Sequence, residues 1–267
     1  MNLSQRLTEL PDIETDGNLL YQKGLIRPSV FEKSYLALRE KEDRVYTDKQ
    51  LKELPDFSGQ SAFEKEWRIR NASLVSLIKK LSEASIELTV LELGCGNGWL
   101  SNQLAKSLDA QVLGMDINET ELYQAAKAFK ENQRLTFLYA DIFSVNLNAL
   151  QFDKIILASA IQYFPNLKKV IHTLIELLKS GGEVHILDTP LYSSSEERAQ
   201  ARQRSMNHFN SLGSPDMASH YYHHQWSDLA GIEYETLFNP KSILSRINRI
   251  FSNEIRVFPW IVIKKQE

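Results

Sequence analysis

Gly94, Gly96 and Gly98 alternate with Cys95 and Asn97 directly behind an apolar run, Ile86 to Leu93, whose penultimate residue is the acid Glu92. Glycines accept positive φ and carry no Cβ, so such a loop can pass close under a ligand at the start of a helix, where free N–H groups favour polar partners. Asp116 stands roughly 20 residues past the first glycine, the spacing at which an acid can accept hydrogen bonds from both hydroxyls of a ribose. The pair describes a site for a nucleoside-bearing ligand. A dinucleotide fingerprint reads G-x-G-x-x-G, but here the third glycine comes one residue early and Trp99 takes its place, so a pyrophosphate fits poorly. Cys95 reads as a small buried residue of the turn rather than a nucleophile, because no second cysteine or paired histidine motif accompanies it.

These residues need strands and helices in strict order to meet. Residues 86–93 read as a buried parallel strand and 99–108 as a helix. A second strand, 110–117, ends at Asp116 and Ile117; a helix over 119–132 and a third strand, 135–139, lead to Ala140-Asp141-Ile142. The fourth strand, 152–158, delivers Ser159-Ala160-Ile161-Gln162-Tyr163-Phe164. An amphipathic helix over 167–178 then runs into Gly181-Gly182, a pair suited to closing a helix in left-handed conformations, and 183–188 is the fifth strand. Residues 232–238 and 258–264 read as two more strands around a mostly helical 239–253.

In these residues the chain resembles the class I S-adenosylmethionine-dependent methyltransferases, whose first motif is an apolar pair, an acid, an apolar residue and G-x-G-x-G; Leu91 to Gly98 fits it. The resemblance spans about residues 86–190. It implies an α/β, three-layer αβα Rossmann-like sheet of seven strands with the last antiparallel. It implies S-adenosylmethionine as donor and S-adenosylhomocysteine as product, held by Glu92, Gly94, Cys95, Gly96, Gly98, Asp116, Ile117, Asp141, Ile142 and Ser159. Asp141 would take the adenine amine and Ile142 cover the ring, although an aspartate in that position is also a turn former or helix cap. The small Ser159 and Ala160 would leave room for methyl transfer.

Residues 1–85 are expected to form a helical N-terminal extension or cap, and 86–267 the cofactor-binding domain. Within the extension Pro11, Gly17, Gly24 and Pro28 interrupt the chain, Thr47-Asp48-Lys49-Gln50-Leu51 is a capped helix start, and 62–81, with Trp67, is an amphipathic helix. The insertion 191–231 gathers Tyr192, His208, Phe209, His220, Tyr221, Tyr222, His223, His224 and Trp226, and reads either as a lid over an apolar or aromatic acceptor or as a packed aromatic element. For a hydroxyl or ammonium acceptor a base must take a proton; the candidates are Tyr163, Asp188, His223 and His224, with His223 or His224 first because imidazole titrates near neutral pH. His220, His223 and His224 lack a nearby acid that would complete a metal site, and none is expected.

The composition fits this reading. With 267 residues, 43% hydrophobic content, one cysteine and a net charge of −3, the chain can bury a large core without disulfides. The scattered basic clusters argue against DNA or RNA as substrate, and Arg198, Arg202 and Arg204 read as a solvated helix face. No apolar run approaches the ~20 residues of a membrane span, and cytoplasm is the expected location. The leading reading is methyl transfer to O or N of a small molecule. Two alternatives keep the donor site: transfer of another group from a related adenosyl donor, and a non-catalytic adenosyl-binding partner subunit. Oligomeric state is left open by the sequence.

Overall fold

The computed structural model describes residues 2–56, 63–84, 87–242, 245 and 255–266. Its centre is a single sheet in which the apolar, β-branched runs have formed strands buried on both faces. β1 (Ile13–Asp16) and β2 (Leu19–Gln22) form a hairpin, followed by β3 (Leu88–Leu93), β4 (Ala110–Asp116), β5 (Leu135–Tyr139), β6 (Phe152–Ala158), β7 (Leu178–Leu187), β8 (Glu235–Phe238) and β9 (Trp260–Lys264). The spatial order is β1-β2-β5-β4-β3-β6-β7-β9-β8. β3 to β7 are mutually parallel, and β9 lies antiparallel between β7 and β8. The seven strands expected from the resemblance are present in the α/β arrangement it implies, with the last one antiparallel.

The N-terminal extension departs from the expectation of a helical cap, because its hairpin adds two strands to the same sheet. Leu19, Leu20 and Tyr21 are all buried, a pattern that needs cover on both faces, and Gly17 at φ +59° turns the chain between the strands. β2 then pairs in parallel with β5, placing the Tyr21 ring 5.9 Å from that of Tyr139. The rest of the extension is helical: α1 (Leu3–Thr8), α2 (Val30–Lys41), α3 (Asp48–Glu53) and α4 (Glu64–Leu81). Thr47 caps α3 in a capping box with Gln50, as the Thr-Asp-Lys-Gln spacing predicts.

Helices α5 (Trp99–Ser107), α6 (Glu119–Ala128) and α7 (Leu167–Glu176) connect the parallel strands, and α8 (Ser195–Ser211) opens the insertion between β7 and β8. Two apolar layers sandwich the sheet. One packs α7 on Leu91, Leu113, Ile155 and Val184; the other packs α4 and α5 on Val90, Val112 and Ile156. The alternation along β3 and β4 thus decides which helix each residue meets. β7 begins at Leu178, five residues earlier than the spacing predicts, so Gly181 (φ +71°) lies within the strand rather than at the helix end. Most of the helix expected over 239–253, and the expected strand start at Ile86, lie outside the described residues.

Candidate active site

The strand order reverses between β3 and β6, the place where open parallel sheets leave a crevice beyond their carboxyl ends. A cavity of about 360 Å³ opens there. Its floor is built from strand ends: Glu92 and the Gly94–Gly96 backbone after β3, Asp116 and Ile117 after β4, Asp141 and Ile142 after β5, and Ser159 after β6. Cys95 and Tyr163 line it as well. The glycine loop is shaped for close approach. Gly94, Gly96 and Gly98 all have positive φ. A Cβ on Gly96 would project to 3.1 Å from the Glu121 carboxylate. Gly98 does not line the cavity; a Cβ there would lie 2.5 Å from the Phe137 ring, so its lack of a side chain seats α5 against β5.

Asp116 is held by backbone. Its Oδ2 accepts from Gly96 N–H at 2.8 Å, and its Oδ1 from Ile117 and Asn118 N–H at 2.7 and 2.9 Å. Burial raises its carboxyl above the usual range, and the three N–H donors oppose that rise. Glu92 lies deeper and accepts from the Ser101 hydroxyl; burial, reinforced by Asp116, pushes it up to about 8. Glu121, from the first turn of α6, is pushed by burial and by Asp116 to about 7. Three carboxyls therefore share one buried volume, which is why two of them hold protons so tightly. Asp141 accepts from Phe143 N–H at 3.0 Å in a local turn, leaving its Oδ2 without a protein partner among the described residues. Ser159 sits at φ +54°, a left-handed conformation that a non-glycine residue resists, and its hydroxyl donates to the Asp188 carbonyl at 2.9 Å.

The opposite wall comes from the extension and the insertion. Phe31, Tyr35, Arg39, Trp67 and Arg70 face the floor from α2 and α4, and His220 and Tyr222 from the insertion. Arg44 grips Glu66 with two bonds of 3.0 and 2.6 Å, and Arg70 donates to the same carboxylate at 3.0 Å. Burial would raise Glu66, but the two guanidinium groups prevail and hold it below its ordinary range. Trp67 is buried edge-on to Trp99 at 5.2 Å, joining α4 to the first turn after the glycine loop.

The candidate bases separate in space. Tyr163 lies on the cavity wall, edge-on to Phe31 and Tyr35, with its phenol raised by burial. His223 and His224, expected first, do not line this cavity. The His224 Nε2 meets the Ile161 carbonyl at 3.0 Å, and its ring is buried in the loop packing; His223 lies 3.0 Å from the Ser205 hydroxyl, in an outer groove. Burial lowers both imidazoles. Asp188 is half-buried and accepts from the Ser73 hydroxyl at 2.6 Å. His220, by contrast, reaches the inner wall, 5.6 Å edge-on from Phe31. The insertion's sequence groups these histidines without distinguishing them, since an irregular loop has no periodicity that assigns sides. Cys95 is 5% exposed, and burial holds its thiol well above the ordinary range, a poor nucleophile.

A mostly parallel sheet closed by an antiparallel strand, with a glycine loop and a strand-end acid at its switch point, is the Rossmann-like architecture of class I methyltransferases. The sequence matches the family described as a methyltransferase domain over residues 85–251, more than half of its length, and the chain belongs to that family. It is similar to a ubiquinone biosynthesis O-methyltransferase of Coxiella burnetii, 36% identical over 97 residues that cover 36% of this chain and 41% of the relative. The chain thus spans less than half the length of that relative. Among solved structures, the YcgJ protein of Bacillus subtilis shares 18% identity at a TM-score of 0.56, covering 74% of this chain and 99% of that one. Magnesium protoporphyrin IX methyltransferase of Synechocystis, solved with bound S-adenosylhomocysteine, shares 15% identity at a TM-score of 0.53, covering 87% and 98%. Among the described residues no helix is long and apolar enough to cross a membrane.

Proposed function

We propose that this chain is an S-adenosylmethionine-dependent methyltransferase that acts on an O or N atom of a small, partly aromatic acceptor. The observation that carries the reading is the backbone-held Asp116 beside the Gly94–Gly96 loop, both opening on a cavity large enough for a ligand. Its residues fit the donor. Asp116 would hold the ribose hydroxyls, Asp141 and Ile142 the adenine, and the glycine loop with Ser159 the amino-acid end. When bound, the donor supplies a methyl group already activated on a sulfonium.

The chain's own groups then have three tasks. The aromatic wall of Phe31, Tyr35, Tyr163 and Tyr222 excludes water and holds an acceptor ring by edge and face contacts. Tyr163, its phenol raised by burial, stays protonated at neutral pH and donates a hydrogen bond that orients the acceptor atom. His220, on the same wall, takes the acceptor's proton. Alignment supplies most of the acceleration in such a transfer, so the wall matters as much as the base.

Calorimetric titration with S-adenosylmethionine, S-adenosylhomocysteine and NAD tests the reading. Both adenosyl-sulfur ligands should bind and NAD should not, and Asp116→Ala should weaken adenosyl binding by about 1–3 kcal/mol. Binding of NAD alone, or unchanged affinity in the variant, would reject it. Formation of S-adenosylhomocysteine with an acceptor separates methyl transfer from binding without turnover.

A further inference from the structure

A second cavity, of about 770 Å³, adjoins the first and shares Pro165 and Tyr222 with it. One wall is a single face of α8: Ser195, Arg198, Ala199 and Arg202 follow the i, i+3, i+4, i+7 spacing, so two guanidinium groups stand over small residues that leave the space between them open. The facing wall is the first turn of α7 with Lys168, the positive end of that helix dipole.

The charge in this groove is not balanced internally. The side chains of Lys168, Arg198 and Arg202 make no ion pair or hydrogen bond among the described residues. The one carboxylate on the lining, Asp228, accepts from Gln225 N–H at 2.8 Å and lies 3.8 Å from His224. Other cations near the site are paired: Lys241 holds Glu197 of α8 at 2.8 Å, and Arg44 and Arg70 share Glu66. Three cations without a side-chain partner thus line one groove with a single carboxylate, in a chain with a net charge of −3, and that groove adjoins the inner cavity at Pro165 and Tyr222.

We propose that this outer groove is an anion subsite for the acceptor, binding a phosphate or similarly multiply charged group while the rest of the molecule passes Tyr222 and Pro165 to the inner aromatic wall. The inference rests on the methyltransferase reading, and it narrows the substrate class to small acceptors carrying a phosphate-like group. Two arginines one helical turn apart present forked donors suited to phosphate oxygens, and Lys168 adds a point charge opposite.

The test uses the full chain, inorganic pyrophosphate as probe and calorimetry at low salt, where exposed cations are least screened. Wild-type protein is titrated with S-adenosylhomocysteine first, then with pyrophosphate with and without it, so that the inner cavity can be filled before the groove is probed. The expected result is one pyrophosphate per chain, bound about tenfold or more weaker by Arg198→Gln/Arg202→Gln and separately weakened by Lys168→Gln, with S-adenosylhomocysteine affinity unchanged in each. These side chains lie on exposed surfaces, so folding is preserved. No pyrophosphate binding by the wild type, or equal affinity in the variants, overturns the subsite. Failure of S-adenosylhomocysteine to bind while pyrophosphate still binds the groove overturns the donor-site reading and the acceptor role instead.

Discussion

His220 and Gly98 mark the two ways a single residue serves this cavity. His220 lies on the inner wall beside Phe31 and takes no part in the hydrogen bonds that hold Asp116 to the glycine loop, so His220→Ala should lower turnover by about 10²- to 10⁴-fold while S-adenosylhomocysteine affinity stays near wild type. Steady-state rates beside a calorimetric titration read both; equal loss in His223→Ala would move the base to the outer groove. Gly98 acts through packing instead. An alanine there combines φ +72° with a collision at the Phe137 ring, and Gly98→Ala should cost about 1–3 kcal/mol in urea-induced unfolding. The glycines and strand-end acids were legible because their backbone demands are written in residue type and spacing. His220, Arg39, Arg70 and Glu121 were not, since nothing local distinguishes a side chain that faces a cavity from one that faces solvent.

At the scale of elements, α4 transmits order from the extension to the glycine loop. Trp67 packs edge-on against Trp99 and donates to the Tyr46 hydroxyl at 3.1 Å, bridging α4, α5 and the loop before α3. Trp67→Ala should therefore destabilise the protein by about 3–5 kcal/mol and weaken donor binding as well, measurable as a fall in unfolding midpoint and a rise in S-adenosylhomocysteine Kd. The amphipathic period of α4 and the capping box of α3 were readable from sequence because both are local. The hairpin of β1 and β2 carried a signal too, an Asp-Gly turn between Ile13 and the Leu19-Leu20-Tyr21 run, but four-residue strands are too short for alternation to stand out from a loop.

Across the whole molecule, the buried carboxyls couple folding to pH. Glu92 holds its proton up to about pH 8 in the folded state and only to its ordinary 4.5 when unfolded. Its contribution is fully present below pH 4.5 and is lost as pH rises toward 8, at up to about 1.4 kcal/mol per pH unit. Glu183 acts in the opposite sense: paired with His185 and Lys154, its carboxyl is held far below the ordinary range, so its stabilisation is present above pH 4.5 and lost in acid. Unfolding free energies of wild type and Glu92→Gln from pH 5 to 8, taken without ligand, should converge at the acid end and diverge toward pH 8 in favour of the variant; parallel curves would place the Glu92 proton elsewhere. The α/β class, the succession of parallel strands along the chain from residue 88 to 187 and the acids at their ends were determined by the sequence itself, because apolar runs, glycine turns and strand-end carboxylates are dictated by neighbours along the chain. Which histidine meets the acceptor, which arginines close the cavity and which cations are left without a side-chain partner in the groove beside it were decided by tertiary structure alone, because those properties depend on segments far apart in sequence that only folding brings face to face.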